Sequence, residues 1–266
     1  MLALYEILLA HRLHALGRAA LPYEVEPPVL LHGELEAALQ PDGGADAVLG
    51  FARDVGEEGP PGPLVLFLHG AGERGRDNER QLTHGRQRLA EAAEAYGAAV
   101  VAPQCPWPDY WANVGRRTEP VTGRVSLDYA FRPTPNSALA QAMALLDSLL
   151  ATGRFDTAAV HLVGISMGGM GVLELAARQP GRFASVTSLA GTYGPQVAPI
   201  LAMTPRLRFF HGDEDPIVHH AIATELVAEI GRYGGAVDYT LYPGVNHGSW
   251  VPAFREPEFW SWVFEE

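Results

Sequence analysis

The sequence predicts an α/β fold, a mostly parallel central sheet with helices on both faces. Two observations carry this. Short, continuously apolar runs such as LVLFLHG (64–70), AAVHLVG (158–164) and RLRFFHG (206–212) read as strands buried on both sides. Segments of ten or more residues with helical patterning and stop signals lie between them, and that alternation favours parallel strands joined by crossover helices. A third observation bounds the answer: 266 residues can enclose one large core, and the chain has neither an internal repeat nor a low-complexity tract.

Residues 1–60 are the least decisive part. MLALYEILLAHRLHALGRAALPYE is apolar in a broken pattern that histidines and arginines interrupt, so it reads as an amphipathic helix rather than a membrane span or signal peptide. The following VEPPVLLHGELEAALQ and PDGGADAVLG read either as early antiparallel strands or as a small cap. This N-terminal segment is expected to belong to the same domain as a core over 61–266.

Order sharpens from Pro63. The run 64–70 is followed by a helix over Gly85–Gly97 with a glycine stop, then by a strand in AAVVAPQCP (98–106). Residues 106–135, carrying Trp107, Tyr110 and Trp111, read as a long irregular excursion. Asn136 then caps a helix. The second half repeats the alternation: a strand over 158–164, a helix from Met167 ended by Pro180, and strands in FASVTSLAG and RLRFFHG. A helix in PIVHHAIATELVAEIG, a strand in AVDYTLYPG and a terminal helix in PEFWSWVFEE complete it.

Composition excludes several classes. The formal charge of −12 disfavours a nucleic-acid partner. Cys105 is the sole cysteine, which rules out an intrachain disulfide and a cysteine-based zinc site and fits a reducing, cytoplasmic compartment. The chain carries neither a P-loop nor a dinucleotide fingerprint, and no metal or organic cofactor is expected.

The strongest local signal is HLVGISMGGMG (161–171), where Gly164-Ile165-Ser166-Met167-Gly168 fits G-x-S-x-G between a strand and a helix. A serine on that turn is a nucleophile candidate, and the new helix aims free N–H groups at the reaction centre. Serine needs a base. Of ten histidines, His247 in YPGVNHGSW follows the last strand and satisfies the chain order nucleophile, acid, base. His161 reads as a packed strand residue, and His219 and His220 as helical. The acid should leave the preceding strand, where HGDEDPIV offers Asp215, with Asp213 as runner-up. Asp215 also precedes Pro216 and could cap the helix there. Backbone N–H groups of Ala71 and Met167 are the expected oxyanion donors, with Gly72 as an alternative to Ala71. His69 reads as an anchor for that turn. Trp107, Trp111, Trp250 and Gly72 are candidate pocket residues.

The segments LFLHGAGERGRDN, QCPW, GISMGGMG, HGDEDPIV and YPGVNHGSW resemble the poly-hydroxyalkanoate-depolymerase and feruloyl-esterase-like branch of the α/β-hydrolases. They are closer still to its dienelactone-hydrolase-like, “predicted peptidase” group. The likeness runs from about Pro61 to the C-terminus. It implies Ser166 as nucleophile, Asp215 as acid, His247 as base, an oxyanion region at Ala71 and Met167, and hydrolysis of a small-molecule carboxylic ester. A peptidase or amidase of the same fold is the enzymatic rival. A non-catalytic binding protein on the same scaffold is the rival of another class. The sequence leaves the oligomeric state open.

Overall fold

The computed structural model describes residues 34–37, 48–52, 60–118, 120 and 125–265. The expected N-terminal helix lies outside them. The described residues include ten strands: β1 (Glu34–Ala37), β2 (Val48–Ala52), β3 (Gly62–Leu68), β4 (Ala99–Pro103), β5 (Val114–Thr118), β6 (Val125–Tyr129), β7 (Phe155–Ile165), β8 (Ser185–Leu189), β9 (Leu207–Gly212) and β10 (Asp238–Tyr242). Eight form one sheet in the order β1-β2-β4-β3-β7-β8-β9-β10. Every neighbouring pair from β4 to β10 is parallel; β1 pairs antiparallel with β2, and β2 with β4. Of the two readings of the early segment, the structure therefore has the antiparallel strands.

The described helices are α1 (Arg86–Tyr96), α2 (Ser137–Ala151), α3 (Met167–Arg178), α4 (Ala198–Leu201), α5 (His220–Arg232), α6 (Trp250–Ala253) and α7 (Phe259–Phe264). They cover both faces. Along β3, Leu64, Leu66 and Leu68 pack with residues of α2–α5, while Val65 and Phe67 pack with α1, α6 and α7. That alternation explains why the strand sequence is apolar throughout: each successive side chain enters a different core. Asn136 caps α2 as its sequence predicts, its Oδ1 accepting the Leu139 N–H at 3.0 Å.

Three expectations need correction. The excursion at 106–135 is not wholly irregular, because β5 and β6 pair as a separate antiparallel ribbon. Their short, mixed-polarity runs lack the continuous apolar character that marked the sheet strands. A short helical stretch, Pro195–Leu201, intervenes between β8 and β9 without a sequence signal long enough to reveal it. The helix expected from Pro216 starts at His220 instead. Asp215 Oδ1 accepts the N–H groups of Ile217 (2.9 Å) and Val218 (3.0 Å), and the Val218 carbonyl bonds His211, so Pro216 enters a side-chain-held turn and Asp215 caps that turn rather than α5.

Candidate active site

Ser166 sits at the junction of β7 and α3 with φ 54° and ψ −112°, a strained conformation for a residue with a Cβ. The strain is held by its surroundings. Its N–H donates to the Leu189 carbonyl at 2.7 Å, and its own carbonyl accepts the Met170 N–H at 3.0 Å. A Cβ on Gly164 would stand 2.2 Å from the Gly168 carbonyl oxygen, so the turn closes only around glycine. This is the physical content of the G-x-S-x-G spacing.

The structure brings Ser166, His247 and Asp215 into one line. The serine hydroxyl donates to His247 Nε2 at 2.8 Å, and His247 Nδ1–H donates to Asp215 Oδ2 at 2.7 Å. A carboxylate can only accept, which fixes the proton on Nδ1 and leaves Nε2 as the acceptor facing Ser166. Asp215 is 3% exposed. Burial pushes its pKa up, but bonds from His211 and His247 and the Val218 N–H outweigh it, holding the carboxyl well below the usual range. His211 Nε2, bonded to the Val218 carbonyl at 2.8 Å, lies 3.3 Å from Asp215 Oδ2. Asp213, the runner-up, is exposed and accepts the Gly244 N–H at 2.7 Å, so it is engaged away from His247.

The turn after β3 lies beside this line. His69 is fully buried: its Nδ1–H donates to the Gly70 carbonyl at 2.7 Å and its Nε2 accepts the Cys105 N–H at 2.9 Å. A trans peptide sends its N–H opposite to its carbonyl, so gripping the Gly70 oxygen also orients the Ala71 N–H. Burial lowers the His69 pKa to about 4, which keeps the ring neutral and this tautomer in place near neutrality. Arg74 Nε donates to the Ala71 carbonyl at 2.9 Å, holding the next peptide. Met167 opens α3, and its N–H precedes the first intrahelical bond.

The candidate pocket aromatics separate. Trp250, half-buried, meets the His247 ring edge to face with centroids 5.6 Å apart. Gly72 is exposed, with open space around its Cα. Trp107 is 67% exposed, and the Arg74 guanidinium lies 3.7 Å from its ring centroid. Trp111 corrects the expectation: it is wholly buried against His69 and the Gly171 turn of α3, so it is a core residue and not a pocket wall. His161 is buried in β7 on Ser185, as a packed strand histidine should be. Cys105 is buried, and desolvation pushes its thiol up to about 12.

Sequence reasoning missed Glu174. It is completely buried on α3 and bonds the Asn113 backbone and side chain, the Tyr193 hydroxyl and Arg178. Its signal was a lone acid inside the apolar helix MGGMGVLELAAR. Among the described residues, no group of three or more His, Cys, Asp or Glu side chains could hold a metal, and no helix is long and apolar enough to cross a membrane.

Residues 55–224 match the family model described as “Putative esterase”. “Putative esterase NocK” of Nocardia uniformis subsp. tsuyamanensis is 32% identical over 156 residues, 58% of this chain and 40% of that protein, so the chain aligns with well under half of its relative. The crystal structure of a thermostable esterase superposes with a TM-score of 0.69 at 26% identity, over 87% of this chain and 62% of that one. FphF, a fluorophosphonate-binding serine hydrolase of Staphylococcus aureus, shares the fold alone at 14% identity, with a TM-score of 0.61 over 88% of this chain and 98% of that one.

Proposed function

We propose that this chain, which belongs to the esterase family of α/β-hydrolases, hydrolyses small, short-acyl carboxylic esters through an acyl-enzyme on Ser166. The observation that carries the reading is the continuous hydrogen-bonded line from the Ser166 hydroxyl through His247 to the buried Asp215.

In the first step His247 Nε2 takes the hydroxyl proton while Ser166 Oγ bonds the ester carbonyl carbon. The charge on the carbonyl oxygen is met by the Ala71 and Met167 N–H groups, and donors already aimed need no reorganisation as it develops. The tetrahedral species collapses, the C–O bond to the alcohol breaks, and His247 returns the proton to the leaving oxygen. Water, deprotonated by the same imidazole, then releases the acid and restores Ser166. Asp215 holds the Nδ1–H tautomer and stabilises the imidazolium in both steps.

Esters rather than amides are the favoured class because an alcohol leaves more readily than an amine from the same residues. Trp250 beside His247 supports a compact apolar wall.

The test is labelling with a fluorophosphonate probe, together with kcat/KM for acetyl, butyryl and long-chain esters and matched anilides. Wild type should label once and favour short esters, and Ser166→Ala should lose both labelling and turnover while staying folded. An unlabelled wild type would mean a binding protein on a hydrolase scaffold. Anilides turned over as fast as short esters would mean a peptidase.

A further inference from the structure

Glu73 follows the Ala71 turn, and its carboxylate points back at the nucleophile. Its Oε2 lies 2.7 Å from the position a Gly70 Cβ would occupy, and the Ser166 Cβ lies 3.7 Å from that same position. Acid and serine therefore face each other across a glycine, and any side chain at residue 70 would strike the carboxylate. The Glu73 side chain is only 12% exposed. Among the described residues its carboxylate has one partner, the His84 ring, with Nε2 3.5 Å from Oε1, too long for a good hydrogen bond.

Arg74 and Arg80 are committed elsewhere. Arg74 bonds the carbonyls of Ala71 (2.9 Å) and Asp109 (3.1 Å) and lies over the Trp107 ring. Arg80 pairs with Asp77 at 3.2 Å. With Oε1 turned to His84, Glu73 Oε2 stands beside Gly70 and Ser166 as an acceptor for an incoming group that supplies charge and N–H donors. Trp250 packs on His84 at 5.3 Å and on His247 at 5.6 Å between ring centroids, so the His84 ring stands between the indole and Glu73 and leaves the Ser166 side of the carboxylate to a ligand.

We propose that Glu73 is a specificity residue that reads a primary ammonium group on the substrate, making short esters with a free amine a few bonds from the scissile carbonyl the preferred class. The proposal rests on the ester-hydrolase reading above. It narrows that reading from short-acyl esters in general to amine-bearing ones. Ammonium binds Glu73 Oε2, the oxygen on the Ser166 side and turned from His84, while the ester carbonyl lies over Ser166. A carboxylate-bearing ester is repelled from the same position.

The experiment compares kcat/KM for the nitrophenyl esters of β-alanine, butyrate and hemisuccinate, and for 2-aminoethyl against propyl acetate. Wild type should favour at least one ammonium ester over its neutral isostere by tenfold or more, with the hemisuccinate slowest, and added salt should shrink the preference. Glu73→Gln should collapse that ratio towards one, Glu73→Asp should keep part of it, and Glu91→Gln, an exposed acid on α1, should leave it alone. The inference is overturned if wild type shows no ammonium preference, if Glu73→Gln leaves the ratio intact, or if Glu91→Gln lowers it equally, since the last result would make it a property of net charge. Hydrolysis of neutral esters would still stand in those cases. Absence of all ester turnover and of probe labelling would instead remove the hydrolase reading itself.

Discussion

A Cβ on Gly168 would stand 1.8 Å from the carbonyl oxygen of Leu68, the last residue of β3. The first turn of α3 is thus pressed directly onto backbone of the neighbouring strand, which is how the oxyanion turn and Ser166 come to share one edge of the sheet. Backbone cannot step aside as a side-chain tip can. Gly168→Ala should therefore cost more than the roughly 1–3 kcal/mol of ordinary overpacking, visible as a large drop in urea midpoint or as loss of soluble protein. Gly231→Ala is the control: the site is exposed in α5 with nothing near the new methyl, and stability should rise by about 0.5–1 kcal/mol. Equal effects from the two would show that α3 and β3 can separate freely.

Asp215 and Asp213 lie two residues apart, but only Asp215 is buried on His247. Asp215→Asn should reduce kcat by about 10³–10⁴-fold, because an amide can present the wrong group to Nδ1 and no longer stabilises the imidazolium. Asp213→Asn should leave kcat within a few-fold. The folded pKa of Asp215 is depressed below its unfolded value of about 3.9, so its stabilising contribution is complete above that pH and fades as acid protonates the folded protein. Kinetics paired with melting curves for both variants check the assignment, and a larger kinetic loss at Asp213 would reverse it.

Why the sequence disclosed one part of this site and not another has a physical answer. The strands were readable because both faces of the sheet are covered, which forces uninterrupted apolar runs. The serine turn was readable because Gly164 and Gly168 each meet backbone that excludes every other residue. Asp215 was chosen by order along the chain, but the turn it holds was hidden: Pro216 signals a helix start, while Asp215 Oδ1 diverts the chain until His220. Trp111 misled because an aromatic in a loop looks the same in sequence whether its ring faces solvent or core. Glu174 showed in the sequence only as a lone acid in an apolar helix, and neither it nor Glu73 revealed its surroundings, since burial of an acid depends on partners far away in the chain, such as Asn113 and Tyr193 for the former.

His161 and His69 should make the fold acid-sensitive well above the carboxylate range. Burial lowers both to about 4, with Arg206 adding to the effect at His161, whereas an unfolded histidine titrates near 6.5. Between those values the unfolded chain binds protons that the folded chain refuses, so stability is full above about 6.5 and falls with acid by up to about 1.4 kcal/mol per pH unit for each site. His161→Asn should remove one site's share of that slope. Urea melts at pH 7, 6 and 5 measure it, and an unchanged slope in the variant would show that His161 is protonated in the fold.

Glu174 tests whether a buried charge organises the loops above the core. Its Oε1 takes bonds from Arg178 Nε (2.9 Å) and Nη2 (2.6 Å) and from Asn113 Nδ2 (3.0 Å), and its Oε2 from the Asn113 N–H (2.6 Å) and the Tyr193 hydroxyl (2.9 Å). Arg178, 8% exposed, also bonds the Arg132 carbonyl at 3.0 Å, so the carboxylate connects α3, the segment after Trp111, the end of the β5–β6 excursion and the loop after β8. Removing it strands a guanidinium, an amide and a phenol in the interior, and Glu174→Ala should cost about 3–5 kcal/mol. The exposed pair Arg88–Glu91 sets the scale for an ion pair in water: Arg88→Ala should cost at most about 1 kcal/mol. Glu174→Gln keeps the shape but supplies one acceptor oxygen where two are needed, so its cost should fall between those two. Hydrogen exchange distinguishes an organiser from a merely buried residue. Loss of protection in Glu174→Gln should concentrate at the N–H groups of Asn113 and of Ala130, which donates to the Asn113 carbonyl, and spare β9, whereas uniform loss across the sheet would mean that the cluster stabilises the whole fold and organises no particular loop.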